Sequence, residues 1–102
     1  MRLKAEEISI IRRSVAEVFG SDASVLLFGS RVDDRKRGGD IDLFLETRLP
    51  MDERLRRRFR LLCLLQQRLG EQKIDLLLAN PDDPVDANRL IVREAQTTGV
   101  PL

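Results

Sequence analysis

The 102-residue chain contains no histidine, tyrosine or tryptophan, and its single cysteine is Cys63. Without histidine, the sequence lacks the most common general base and the most common zinc ligand of proteins. One cysteine cannot close an internal disulfide, and a chain without tyrosine cannot be modified on a tyrosine of its own. Any chemistry must therefore be carried by carboxylates or by a bound metal ion.

Strong net charge and long apolar runs are also missing. The 18 Lys and Arg residues are balanced by 17 Asp and Glu residues, which excludes the uniformly basic field of a general nucleic-acid binder. No uncharged apolar run approaches the ~18 residues that span a bilayer. The N-terminus turns acidic at Glu6 and Glu7 where a signal peptide would turn apolar, so a cytoplasmic protein with no membrane association is expected. The length predicts one domain over residues 1–102.

Apolar spacing predicts helices that alternate with strands. A three- and four-residue rhythm is typical of helices, whereas short apolar runs bounded by turn residues are typical of strands. The predicted helices cover about 4–19, 50–70 and 85–98, and the predicted strands cover 25–28, 40–46 and 73–78. This order predicts an α/β (α+β) fold, with a small mixed sheet of three or more strands flanked by helices. The short link between the first two strands permits an antiparallel pair.

The same spacing assigns side chains to the core. Cys63 lies in an apolar stretch and is expected to be a buried small hydrophobe. The four phenylalanines also occupy positions typical of a core. The residues of the last helix predicted to face inward are Ala87, Leu90, Ile91 and Ala95.

Carboxylates carry the strongest chemical signal. Asp40 and Asp42 are two residues apart on a predicted strand, so both leave the same face with Cα atoms about 6 to 7 Å apart. Asp75 begins a later strand, and if the two strands are neighbours, three carboxylates converge. Repulsion between two such charges 6 Å apart is about 3 kcal/mol at an effective dielectric near 20, so a cation is expected there. Oxygen ligands alone favour Mg²⁺ or Mn²⁺.

A second motif follows the first strand directly. Gly29 and Ser30 offer exposed backbone N–H groups and a small hydroxyl, which can approach a phosphate closely. A Gly-Ser pair alone is common in turns. Its position nine residues before Asp40-Ile41-Asp42, with Asp75 on a later strand, makes the combined pattern specific.

These motifs resemble those of the DNA polymerase beta-like nucleotidyltransferases, in which Gly-Ser precedes Asp-x-Asp and a third acidic residue follows downstream. Phe28-Gly29-Ser30-Arg31 and Gly39-Asp40-Ile41-Asp42-Leu43 are similar to the minimal nucleotidyltransferase branch. The resemblance covers 25–78 by motif and the whole chain by element order. It implies one minimal nucleotidyltransferase domain over 1–102, of a type that is often the antitoxin partner of a HEPN-type RNase toxin.

The resemblance also implies roles for the site residues. Asp40 and Asp42 would hold two Mg²⁺ ions, with Mn²⁺ as an alternative, and Asp75 would act on the attacking hydroxyl as a metal ligand or proton acceptor. Gly29 and Ser30 would bind the β and γ phosphates of ATP. Arg31 would help to neutralise the triphosphate, although a solvated loop arginine is the other interpretation.

The expected activity is Mg²⁺-dependent transfer of AMP from ATP to a hydroxyl of a partner protein, with the HEPN-type toxin as the cognate acceptor in a hetero-oligomer. One alternative is a non-catalytic antitoxin that neutralises its partner by binding. Another is transfer to an RNA end or a small molecule, which the basic segments 35–37 and 54–60 permit. Such charge runs are as often solvated surface, and the absence of interleaved aromatic residues disfavours RNA binding by stacking.

Overall fold

The computed structural model describes residues 3–29 and 40–102. Its elements are α1 (Ala5–Phe19), β1 (Val25–Phe28), β2 (Ile41–Glu46), α2 (Met51–Leu69), β3 (Ile74–Ala79), α3 (Pro84–Ala87), α4 (Leu90–Thr98) and β4 (Val100–Pro101). Within these two ranges, no helix is both long and apolar enough to cross a membrane.

The strands form one four-stranded sheet in the order β3-β2-β1-β4. Strand β1 is antiparallel to both β2 and β4, whereas β2 and β3 are parallel and are joined by the crossover helix α2. The predicted fold class, a mixed sheet flanked by helices, is confirmed. The first two strands form the antiparallel pair that their short link permits. Strand β4 was not predicted, because two residues are too few to carry a periodic pattern.

The sheet buries both of its faces, but against different helices. One core cluster joins alternate strand residues, such as Leu43 and Leu76, to Ile11 of α1 and Leu65 of α2. A smaller cluster on the other face packs the strands against α4 and contains Phe28, Phe44, Ala79, Val92 and Ala95. Since side chains two residues apart on a strand share a face, Asp42 lies on the face of Phe44 and Asp75 on the face of Leu77. Both carboxylates therefore lie on the face that α4 covers.

The last predicted helix is divided into α3 and α4, which changes the residues that face inward. Helix α4 begins after Arg89, and its buried residues are Val92 and Ala95. The prediction is correct for Ala95 but wrong for Leu90, which is 83% exposed, and for Ile91, which is 45% exposed. Because the chain leaves the helical conformation between α3 and α4, the second helix begins with a different rotation about its axis. A prediction of the inward residues from one continuous helix starting at residue 85 is therefore wrong for Leu90 and Ile91.

Two core predictions on α2 are also wrong. Cys63 is exposed, and Phe59 is 71% exposed. The buried side of this helix is defined by Arg54, Leu61 and Leu65. Phe59 and Cys63 each lie two residues from Leu61, which is about 200° around the helix and therefore on the opposite side. Leucines fill so much of this segment that the burial direction was ambiguous in the sequence.

A buried ion pair joins the start of α2 to α3. Arg54 Nη1 lies 3.3 Å from Asp86 Oδ2, and both residues are only 8% exposed. The same Asp86 oxygen accepts the backbone N–H of Asn80 at 2.9 Å. This backbone hydrogen bond, together with Arg54, lowers the pKa of Asp86 below its usual value. The pair thus fixes the turn after β3 against α2, at the end of the sheet opposite Asp75.

We expect Arg54→Met to lower the free energy of unfolding by about 3 kcal/mol, because Asp86 would remain buried without its cation. Urea unfolding at pH 7 measures this loss. Arg56→Met is the matched control, since Arg56 is exposed and its pair with Glu53 is a surface contact. Equal stability of the two variants would contradict the importance of the buried pair.

Candidate active site

Strand register brings the predicted carboxylates together. Asp42 of β2 lies directly beside Asp75 of β3 in the parallel pair, and Asp40 immediately precedes β2. One oxygen from each of the three side chains lies within 4.8 Å of the others. The structure therefore joins Asp40, Asp42 and Asp75 in one cluster, referred to below as the carboxylate triad.

Within the triad, Asp42 has a strongly raised pKa. Partial burial raises the pKa of Asp42, and the charge of Asp75, a hydrogen bond with Asp75 and the charge of Asp40 raise it further, to about 6. Lys73 acts in the opposite direction, and its Nζ lies 3.4 Å from Asp40 Oδ2. Because this lysine is largely exposed, it offsets only part of the repulsion.

The residue that closes β1 makes room for the triad. Gly29 has φ +79°, and a Cβ atom at this position would overlap Oδ2 of Asp42. Only glycine combines this left-handed backbone with so close an approach to a carboxylate. The glycine of the predicted Gly-Ser motif therefore has a geometric requirement in the structure.

The donor set of the triad fits a hard divalent cation. Three carboxylates supply only oxygen ligands, which Mg²⁺ and Mn²⁺ prefer, and a bound cation would relieve the repulsion that raises the pKa of Asp42. The proximity of the three oxygens shows that the triad could hold a metal without a change of strand register.

A pocket of about 380 Å³ opens beside the triad. It is lined by Phe28, Gly29, Asp42, Arg58, Asp75, Leu76, Leu77, Ile91 and Glu94. Arg58 reaches it from α2 and donates a hydrogen bond from Nε to the backbone oxygen of Leu76 at 3.1 Å. The sequence pattern indicated Arg58 only as part of a basic segment. Its position four residues before Leu62, which packs on the core, was the available signal that it lies beside the sheet.

A larger groove of about 530 Å³ lies elsewhere, between α1, the start of β1 and the residues at 101–102. Its lining contains Arg12 and Arg13 but none of the predicted site residues. Of these two cavities, only the smaller one is lined by predicted site residues from the described part of the chain. Ser30, Arg31 and the basic segment 35–37 lie outside the described residues, so their predicted roles stay predictions.

A mixed sheet that presents clustered carboxylates beside a left-handed glycine suits the metal-dependent transfer of phosphoryl and nucleotidyl groups. The chain matches the family described as Nucleotidyltransferase domain over residues 8–96, which is most of its length, and it belongs to this family. This membership supports the polymerase beta-like superfamily and gives nucleotidyl transfer as the general activity. No curated protein matches the chain.

We expect Gly29→Ala to weaken Mn²⁺ binding at least about tenfold, because the new methyl group must displace the Asp42 carboxylate and the backbone must leave its left-handed conformation. Titration with Mn²⁺ followed by electron paramagnetic resonance measures the affinity. Gly70→Ala is the matched control, since Gly70 has φ +84° but open space around it. The same loss of affinity in both variants would show that backbone strain alone is responsible.

The raised pKa of Asp42 predicts pH-dependent stability in metal-free protein. The folded state holds the Asp42 proton more tightly than the unfolded state, so its stabilising effect is complete below pH 3.8 and is lost as the pH rises through about 6. Asp42→Asn removes this dependence. Between pH 4 and pH 7.5 the free energy of unfolding of the variant should rise by about 1 kcal/mol relative to that of the wild type, because only the wild type loses this stabilisation. The effect is smaller than the full shift because solvent screens part of the repulsion on this partly exposed group. Urea unfolding in EDTA at both pH values measures the difference in free energy of unfolding between the variant and the wild type. The same difference at both pH values would contradict the raised pKa of Asp42.

Proposed function

We propose that this nucleotidyltransferase transfers AMP from ATP to a hydroxyl group of a partner protein. The observation that carries the proposal is the carboxylate triad beside a pocket with apolar walls, in a chain that belongs to the nucleotidyltransferase family. When bound to Asp40, Asp42 and Asp75, divalent cations would neutralise phosphate charge and make the acceptor hydroxyl easier to deprotonate.

Each predicted site residue has a distinct role in this reaction. Gly29 leaves space for the Asp42 carboxylate. Gly29 and Ser30 bind the β and γ phosphates, and Arg31 helps to neutralise the triphosphate. Asp75, at the start of β3, receives the hydroxyl proton or orients the hydroxyl as a metal ligand. The acceptor oxygen attacks the α phosphorus, the bond from that phosphorus to the bridging oxygen breaks, and pyrophosphate leaves with its electrons. Most of the rate enhancement would come from positioning and charge neutralisation.

The pocket favours a protein acceptor over an RNA end. Phe28, Leu76, Leu77 and Ile91 provide an apolar lining, which suits side chains better than a ribose-phosphate backbone. This lining supports protein modification at this site.

The motif resemblance supports a narrower identity. We propose a minimal nucleotidyltransferase that acts as the antitoxin of a HEPN-type RNase toxin, forms a hetero-oligomer with it in the cytoplasm, and modifies it with AMP. Because the chain contains no tyrosine, a tyrosine acceptor would have to belong to the partner. Neutralisation by binding alone and transfer to RNA or to a small molecule are the competing outcomes of the experiment below.

Purified protein incubated with α-phosphate-labelled ATP, Mg²⁺ and lysate of its source should label one protease-sensitive band. We expect Asp42→Asn to reduce this label at least about a hundredfold, because the triad loses a charge that binds cations. Asp22→Asn is the matched control, since Asp22 lies in an exposed turn after α1.

Scintillation counting after protease and RNase digestion distinguishes the outcomes. RNase-sensitive label would replace the protein acceptor with RNA, and label in a small-molecule fraction would replace it with a metabolite. Undiminished label from Asp42→Asn would contradict the role of the triad. Protection of cells from the toxin by a variant with all three aspartates replaced would favour neutralisation by binding.

A further inference from the structure

Helix α2 carries a row of exposed apolar side chains. Met51, Leu55 and Phe59 are each more than half exposed, and their four-residue spacing places them along one flank of the helix over about 12 Å. Exposed apolar side chains scattered singly are ordinary, but a continuous row on a helix is typical of a contact surface. The row Met51-Leu55-Phe59 is called the apolar row below.

The apolar row leads to the pocket beside the triad. Arg58 follows Leu55 by three residues, so the two side chains are neighbours on the helix surface. Arg58 lines the pocket together with Asp42 and Asp75, and it is held there by its hydrogen bond to the Leu76 backbone. Ile91, which is 45% exposed, lines the same pocket from α4. An acceptor that covers the row around Leu55 would therefore lie next to Arg58 and the pocket.

Charge on this surface indicates the chemistry of the occupant. Several arginines of α2 are paired, since Arg54 contacts Asp86 and Arg57 contacts Glu53. Arg58 forms no ion pair with any residue in the described part of the chain, although it is half-buried at the edge of the pocket. A carboxylate from outside would complete its interactions, because a partly desolvated guanidinium gains most from a charged acceptor. A polynucleotide would leave the apolar row uncovered.

We propose that the apolar row, Arg58 and Ile91 form the docking surface for the acceptor protein, which contributes an apolar face and a carboxylate that pairs with Arg58. Docking there places the acceptor hydroxyl at Asp75. This inference rests on the proposed transfer to a protein and adds the surface and the partner chemistry that select the acceptor.

The test compares two equally exposed apolar residues. Phe59→Ser changes the apolar row, and Val85→Ser changes α3, at the end of the sheet opposite the triad. Phe59 is 71% and Val85 75% exposed, so neither change should disturb the core. We expect Phe59→Ser to lower the rate of labelling of the protein band at least about tenfold, because aromatic anchors dominate interfaces. Equilibrium dialysis with Mg²⁺ and labelled ATP should give unchanged nucleotide affinity for both variants, and Val85→Ser should label normally.

Arg58→Met tests the predicted charge pair. The acceptor identified by its label is purified in its unmodified form and titrated with the wild type and with Arg58→Met. We expect the apparent KM for this acceptor to rise about tenfold in the variant while kcat changes less than about threefold, because the pair acts in binding. Arg58→Lys keeps the charge and should recover part of the loss. A fall in kcat alone, or equal values for the Met and Lys variants, would overturn the pairing.

The remaining outcomes separate this inference from the function on which it rests. Undiminished protein labelling by Phe59→Ser overturns the docking surface and leaves protein modification intact. Label in RNA alone, or no label at all, overturns both. A wild-type dimer in light scattering that becomes monomeric in Phe59→Ser would show that a second copy covers the apolar row, and that result also overturns the proposal.

Discussion

The parallel register of β2 and β3 is the constraint on which the site depends. It pairs Leu43 with Leu76 and Leu45 with Leu78, all four buried, and it also pairs Asp42 with Asp75. A slip of one residue would turn the leucines away from the core. Burial of four leucines contributes about 8 kcal/mol, whereas repulsion between two carboxylates about 5 Å apart is about 3 kcal/mol at an effective dielectric near 20. Hydrophobic packing therefore holds the aspartates together against their own repulsion.

The two faces of the sheet have different roles in forming the site. The larger core against α1 and α2 fixes the register, while the smaller core under α4 leaves room at the starts of β2 and β3. Val92 and Ala95 bury one side of α4, and Ile91 and Glu94 line the pocket from another. A nine-residue helix thus closes the second core and forms part of the candidate site.

Much of the fold and of the site was predictable because the signals were local. Pro50 and Gly70 bracket α2 as expected, and alternation along β2 placed Asp40 and Asp42 on one face. The local pattern did not show which strand lies beside β2, because the pairing of Asp42 with Asp75 depends on the crossover through α2. Arg58 was missed for the same reason. In α2, leucines at four of the five positions 61–65 obscured the buried direction, and the inward assignment of Phe59 failed. In α4, the break at 88–89 shifted the helical phase.

Strand β3 lies at an edge of the sheet, and its sequence Ile-Asp-Leu-Leu-Leu-Ala is the kind of segment that recruits identical strands into aggregates. The oxygens of Lys73 and Ala79 accept hydrogen bonds from the β2 side, so the oxygen of Leu76 points away from the sheet by the two-residue alternation. Arg58 donates to that oxygen and lays a charged side chain across the open edge. Charged side chains on an edge strand oppose its pairing with another strand, so the arginine that borders the pocket would also work against self-assembly through β3. Selection on this position would consequently act through solubility as well as through the proposed recognition of a partner.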